Sequence, residues 1–92
     1  IVTIIKELEL VNKYGMHVRP AGSLAKVCQK YESEITVDNA GNAVSGKSVL
    51  GLMTLEAPKG TILKFTAIGE DAERAMAEIE ELIANHFGIA DE

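Results

Sequence analysis

A histidine, an arginine and a proline fall close together in Tyr14-Gly15-Met16-His17-Val18-Arg19-Pro20-Ala21-Gly22, directly after the turn-forming run Asn12-Lys13-Tyr14-Gly15. Proline fits the first turn of a helix, where its missing N–H leaves no intrahelical bond unmade. The stretch therefore predicts a helix that begins at His17, with the imidazole at its mouth. A helix N-terminus carries unpaired N–H donors and about +0.5 of an elementary charge, which suits an anion such as phosphate. Arg19 adds a permanently charged fork able to grip two oxygens of the same group. Imidazole, with an ordinary pKa of about 6.5, is a nucleophile that can be neutral near physiological pH. Together these residues read as a histidine that accepts a phosphoryl group. The plainer reading is a surface histidine capping a helix beside a solvated arginine, and the residues alone leave both open.

Composition narrows the function classes. Ninety-two residues make a single domain, 1–92, with room for one modest core. The 47% hydrophobic content contains no Trp and only two Phe and two Tyr, which speaks against base stacking. A net charge of −5, without a run of Lys or Arg, argues against DNA and RNA as partners. A single cysteine forms no internal disulfide, and with two histidines lacking ligand spacing it makes no zinc site. No metal or cofactor is expected, and Cys28 reads as core. The apolar opening Ile1-Val2-Thr3-Ile4-Ile5 is broken at once by Lys6 and Glu7. Neither a signal peptide nor a membrane span is expected, and the chain reads as cytoplasmic.

The elements that must hold His17 and Arg19 follow from periodicity. Residues 4–11 alternate as a strand, imperfectly because Lys6 shares a side with Leu8 and Leu10. Ala21, Leu24, Ala25, Val27, Cys28 and Tyr31 recur at helical spacing. Glu34 to Asp38 is a short strand, Asn39-Ala40-Gly41-Asn42 a turn, and Ala43-Val44 the return of a hairpin. A second, short helix spans residues 48–55, with Ser48 at its N-cap. Val49, Leu50, Leu52, Met53 and Leu55 cannot all face one stripe, so this helix either exposes a docking surface or sinks between neighbours. Residues 61–68 alternate cleanly with Leu63, Phe65 and Ala67 inward. Gly69-Glu70-Asp71 opens a last helix whose inner face is Ala72, Ala75, Met76, Ile79, Leu82 and Ile83. Gly88 is its expected stop, and His86 is placed in its last turn as a structural residue. The order βαββαβα predicts an α+β open-faced β-sandwich: a four-stranded antiparallel sheet with three helices on one face.

With these residues in view, the chain resembles the histidine-containing phosphocarriers of the HPr family in the bacterial phosphoenolpyruvate-dependent phosphotransferase system. The likeness rests on Gly15-Met16-His17-Val18-Arg19-Pro20-Ala21 and on Lys47-Ser48-Val49-Leu50 at the spacing of a second, seryl-phosphorylation signature. It implies a monomeric, stoichiometric carrier rather than an enzyme. His17 would form a phosphohistidine at Nδ1, taking the group from enzyme I and passing it to enzyme IIA domains in sugar transport. Arg19 and the helix start at Val18, Arg19 and Pro20 would hold the phosphate. Val49, Leu50 and Met53 would form a docking patch. Ser48 would be the target of an HPr serine kinase/phosphorylase where one exists, or else a plain N-cap serine. Phosphate there would add nearly two negative charges beside the patch and disfavour acidic partners.

Gly22 departs from the family habit of Ala, Ser or Thr. The run from Asn12 to His17, the turn Ala57-Pro58-Lys59-Gly60 and His86-Phe87 also resemble the nitrogen-branch regulatory phosphocarrier. Two other classes compete. An acylphosphatase-like enzyme would need its arginine in a Gly-rich loop and an asparagine to position water, and no such loop surrounds Arg19. A non-phosphorylated interaction domain would make His17 incidental.

Overall fold

The structure, a computed structural model, describes residues 1–89. Four strands, β1 (Val2–Glu9), β2 (Glu34–Asn39), β3 (Asn42–Ser45) and β4 (Ile62–Gly69), form one sheet in the order β1-β4-β2-β3. Every pairing is antiparallel, with Val2 opposite Gly69, Val37 opposite Phe65 and Asn39 opposite Asn42. Three helices, α1 (Val18–Gln29), α2 (Val49–Met53) and α3 (Ala72–Ala84), complete the βαββαβα open-faced sandwich. α1 packs against both α2 and α3, and α3 lies on β1 and β4.

The core lies between helices and sheet. Ile35 and Val37 of β2 and Leu63, Phe65 and Ala67 of β4 are buried, as the alternation predicts. They meet Ala21, Leu24, Ala25 and Cys28 of α1 and Ala72, Ala75, Met76, Ile79 and Ile83 of α3. Burial pushes the Cys28 thiol up to about 12, so it behaves as a small apolar side chain.

Four boundaries differ from expectation by two residues or more, the first being α1, which ends at Gln29 and leaves Tyr31 beyond the helix. β1 runs from Val2 to Glu9 rather than over 4–11. Beyond it, Leu10 leaves the regular ladder and bonds the turn before β4, donating to Thr61 O at 2.9 Å and accepting from Gly60 N–H at 2.8 Å. Lys6 fits this edge strand because its ammonium reaches Glu80 on α3 at 2.8 Å. α2 is five residues, shorter than the predicted 48–55. α3 ends at Ala84, not near Gly88, so His86 is outside the helix. His86 and Phe87 instead take left-handed φ values of 51° and 58°, a turn that swings the Phe87 ring into the core.

Candidate functional site

The turn before α1 is built to place one residue. Gly15 has φ +64°, and a Cβ there would stand 2.2 Å from Ala57 O. Only glycine combines that backbone with so close an approach. Asn12, fully buried, donates from Nδ2 to Gly15 O at 2.8 Å, while the Gly15 N–H bonds Asn12 O at 3.3 Å. Met16, also buried, donates its N–H to Ala57 O at 2.8 Å. The turn is thus locked to the chain before β4, and the next residue is His17. In the sequence Asn12 reads as ordinary turn chemistry; an asparagine three residues before a glycine is the available signal for this strut.

His17 is the N-cap of α1, extended at φ −118° and ψ −167°, and its side chain makes no capping bond. His17 thus caps α1 by position and backbone alone. It is half-buried, and its carbonyl accepts the first helical bond from Ala21 N–H at 2.9 Å. No acidic residue occupies the first turn of α1, so no carboxylate there neutralises the positive helix end. The amides of Val18 and Arg19 precede the first intrahelical donor, and Arg19 is exposed. Pro20 is buried and contributes shape but no N–H. The groove beside this turn, lined by Val18, Arg19, Gly22, Ser23, Phe87 and Ile89, is shallow and open. The Tyr14 ring lies 6.0 Å from the imidazole, the planes at 85°.

α2 lies alongside α1. Ser48 is its N-cap, with Oγ accepting from Gly51 N–H at 3.0 Å. Leu50 is 77% and Met53 39% exposed, whereas Leu52 and Leu55 are buried and Val49 leans on the core. The short helix thus resolves into an inward and an outward half. Its approach is fixed by ties that local sequence did not signal: Lys47 Nζ donates to Tyr31 O at 2.7 Å, and Gln29 Nε2 to Lys47 O at 2.9 Å.

Asp71 also acts across elements rather than on its own helix. Its carboxylate accepts from the Glu32 and Ser33 N–H groups at 2.9 and 3.0 Å and from the Ser33 hydroxyl. The hydroxyl first, then those amides, hold its pKa below the ordinary 3.8. Among the described residues there is no cluster of metal ligands and no helix long and apolar enough to cross a membrane.

Residues 4–85 match the family model of the PTS HPr component phosphorylation site. The chain is 35% identical over 83 residues to the phosphocarrier protein HPr of Neisseria meningitidis, covering 90% of this chain and 93% of that one. It is 49% identical over 69 residues to the HPr of Borreliella burgdorferi, covering 75% and 80%. The crystal structure of HPr-C-His from Thermoanaerobacter tengcongensis superposes with a TM-score of 0.89 at 34% identity, covering 94% and 97%. The class so defined is that of small phosphocarrier proteins. The chain belongs to the HPr family of the phosphotransferase system.

Proposed function

We propose that this chain carries a phosphoryl group on His17, received from phosphorylated enzyme I and delivered to enzyme IIA domains in the cytoplasm. One observation carries the reading: the His17 side chain stands at a helix mouth free of acidic residues without capping it, two residues before an exposed arginine. In the transfer, the Nδ1 lone pair attacks phosphorus. The nitrogen–phosphorus bond forms as the bond from phosphorus to the donor atom breaks, and the donor keeps that electron pair. The Arg19 guanidinium and the Val18 and Arg19 amides offset the charge on the phosphoryl oxygens. Delivery is the same step with the IIA domain as nucleophile. Leu50 and Met53, with Val18 at 56% exposure, supply apolar contact for both partners. The protein turns over no substrate of its own and works as a monomer.

Ser48 is the proposed regulatory position. A phosphate on its Oγ would place nearly two negative charges beside Leu50 and Met53 and repel acidic partners. The test of the carrier is intact mass and phosphorus NMR after incubation with phosphoenolpyruvate and enzyme I, beside His17→Ala. One acid-labile phosphoryl group on the parent and none on the variant is expected. No labelling by enzyme I of either the sugar or the nitrogen branch refutes the carrier, and pull-downs with IIA domains of each branch assign the branch.

A further inference from the structure

Burial does not account for the tyrosine at position 14. Tyr14 is 59% exposed, yet its ring sits 6.0 Å from the His17 imidazole with the planes at 85°. That is the edge-to-face arrangement that aromatic pairs favour at centroid separations of about 4.5–7 Å. The Lys13 ammonium lies 5.2 Å from the centroid of the same tyrosine ring, within reach of a cation–π contact, so the ring is held from a second direction. Its backbone is held as well. Tyr14 stands inside the turn that Asn12 braces and Gly15 packs against Ala57. A ring delivered from a locked turn thus meets an imidazole delivered from a helix N-cap.

We propose that Tyr14 is a positioning residue for His17. Its ring holds the imidazole in one orientation at the helix mouth, so that the nucleophilic nitrogen faces the incoming phosphorus when the partner docks. The proposal rests on His17 being the phosphoryl acceptor. An N-cap imidazole has two side-chain torsions, and only some of their combinations aim a nitrogen at the anion position. A contact of this kind shifts that population by roughly two- to tenfold. The effect should fall on the transfer step, because the apolar contacts assigned to docking are Val18, Leu50 and Met53.

The experiment treats the chain as the substrate of enzyme I with phosphoenolpyruvate and compares the parent with Tyr14→Phe and Tyr14→Ala. His17 ring-proton shifts are read by NMR in parallel. Tyr14→Ala is expected to lose the ring-current displacement of the His17 protons and roughly two- to tenfold in kcat at unchanged KM, whereas Tyr14→Phe restores both. Melting temperatures should agree across all three, since the ring is exposed. Full kcat in Tyr14→Ala overturns the proposal. So does a raised KM with intact kcat, which marks a docking contact, and so does a lowered melting temperature, which marks a structural one. A labelled parent with an equally fast Tyr14→Ala overturns this inference alone; a parent that takes no phosphoryl group overturns the carrier reading and this inference with it.

Discussion

Gly15→Ala is the substitution on which the account of the site turns. The backbone there is left-handed at φ +64°, and a methyl group would stand 2.2 Å from Ala57 O and 2.7 Å from the Pro58 carbonyl carbon. The left-handed conformation alone costs an alanine about 1–2 kcal/mol. Relieving the overlap needs a retreat of roughly 1 Å, which breaks the buried bond from Met16 N–H to Ala57 O, now 2.8 Å, at about 1–3 kcal/mol. The sum is about 2–5 kcal/mol, a large share of the roughly 5–15 kcal/mol that holds a domain together. At about 4–8 °C per kcal/mol for a domain of this size, melting should fall by roughly 10 °C or more. Urea unfolding measures the loss, and phosphoryl transfer well below the new melting point measures its reach. A shift of roughly 1 Å next to His17 should slow transfer by about tenfold or more in the molecules that remain folded. A loss under about 0.5 kcal/mol would mean the turn yields freely and does not position His17. Gly22→Ala is the internal contrast. No atom lies within 4 Å of its added Cβ and the residue is inside α1, so it should stabilise by about 0.5–1 kcal/mol.

Three further outcomes are expected. Ser48→Ala removes the bond that Oγ accepts from Gly51 N–H at 3.0 Å and should cost about 1 kcal/mol in urea unfolding; no loss would mean the serine is not a working cap. Leu50→Asp, at a side chain 77% exposed, should leave stability within about 0.5 kcal/mol while weakening enzyme I binding by about tenfold in titration calorimetry; unfolding would contradict the outward placement. Asp71→Asn concerns a carboxylate held below 3.8 by the Ser33 hydroxyl and the Glu32 and Ser33 amides. Its stabilisation is present above that ordinary value and fades as pH falls through the lowered one. Calorimetry should show the variant melting lower near neutral pH and the gap closing in acid, and a gap that stays constant into acid would refute the clamp.

Local pattern was enough for the helix start at His17, the inward residues Leu63, Phe65 and Ala67, and the cap at Ser48, because each depends on neighbours within a few positions. It was not enough where distant residues decide. Lys6 looked like a flaw in the first strand, but β1 is an edge strand and its lysine lays its stem along the covered side to reach Glu80. The apolar spacing of α3 continues past Ala84, so nothing local foretold the left-handed pair His86-Phe87. Such backbone costs of order 1 kcal/mol per residue, and the buried Phe87 ring offsets it. The Lys47 tie and the Asp71 clamp each join segments far apart in sequence, and no periodicity announces them; the Asn12 strut is local, but its burial is not legible in the pattern.

The openness of the site bears on what it can do. A hydrolase gains by shutting its anion away from bulk water, whereas a carrier must give its group up again. Here the imidazole is half-buried and Arg19 is exposed, and the groove beside them is shallow. In water, a helix end and an exposed cation each contribute only about 0.3–1 kcal/mol. The same charges act far more strongly once an apolar surface closes over them and excludes solvent. Such a surface comes, on the proposed reading, from a partner that docks on the exposed Val18, Leu50 and Met53. On the proposed reading, the lone carrier therefore grips its phosphoryl group weakly, and the charge stabilisation that drives transfer arises only inside the complex. Selectivity then lies with whichever partner can cover the patch.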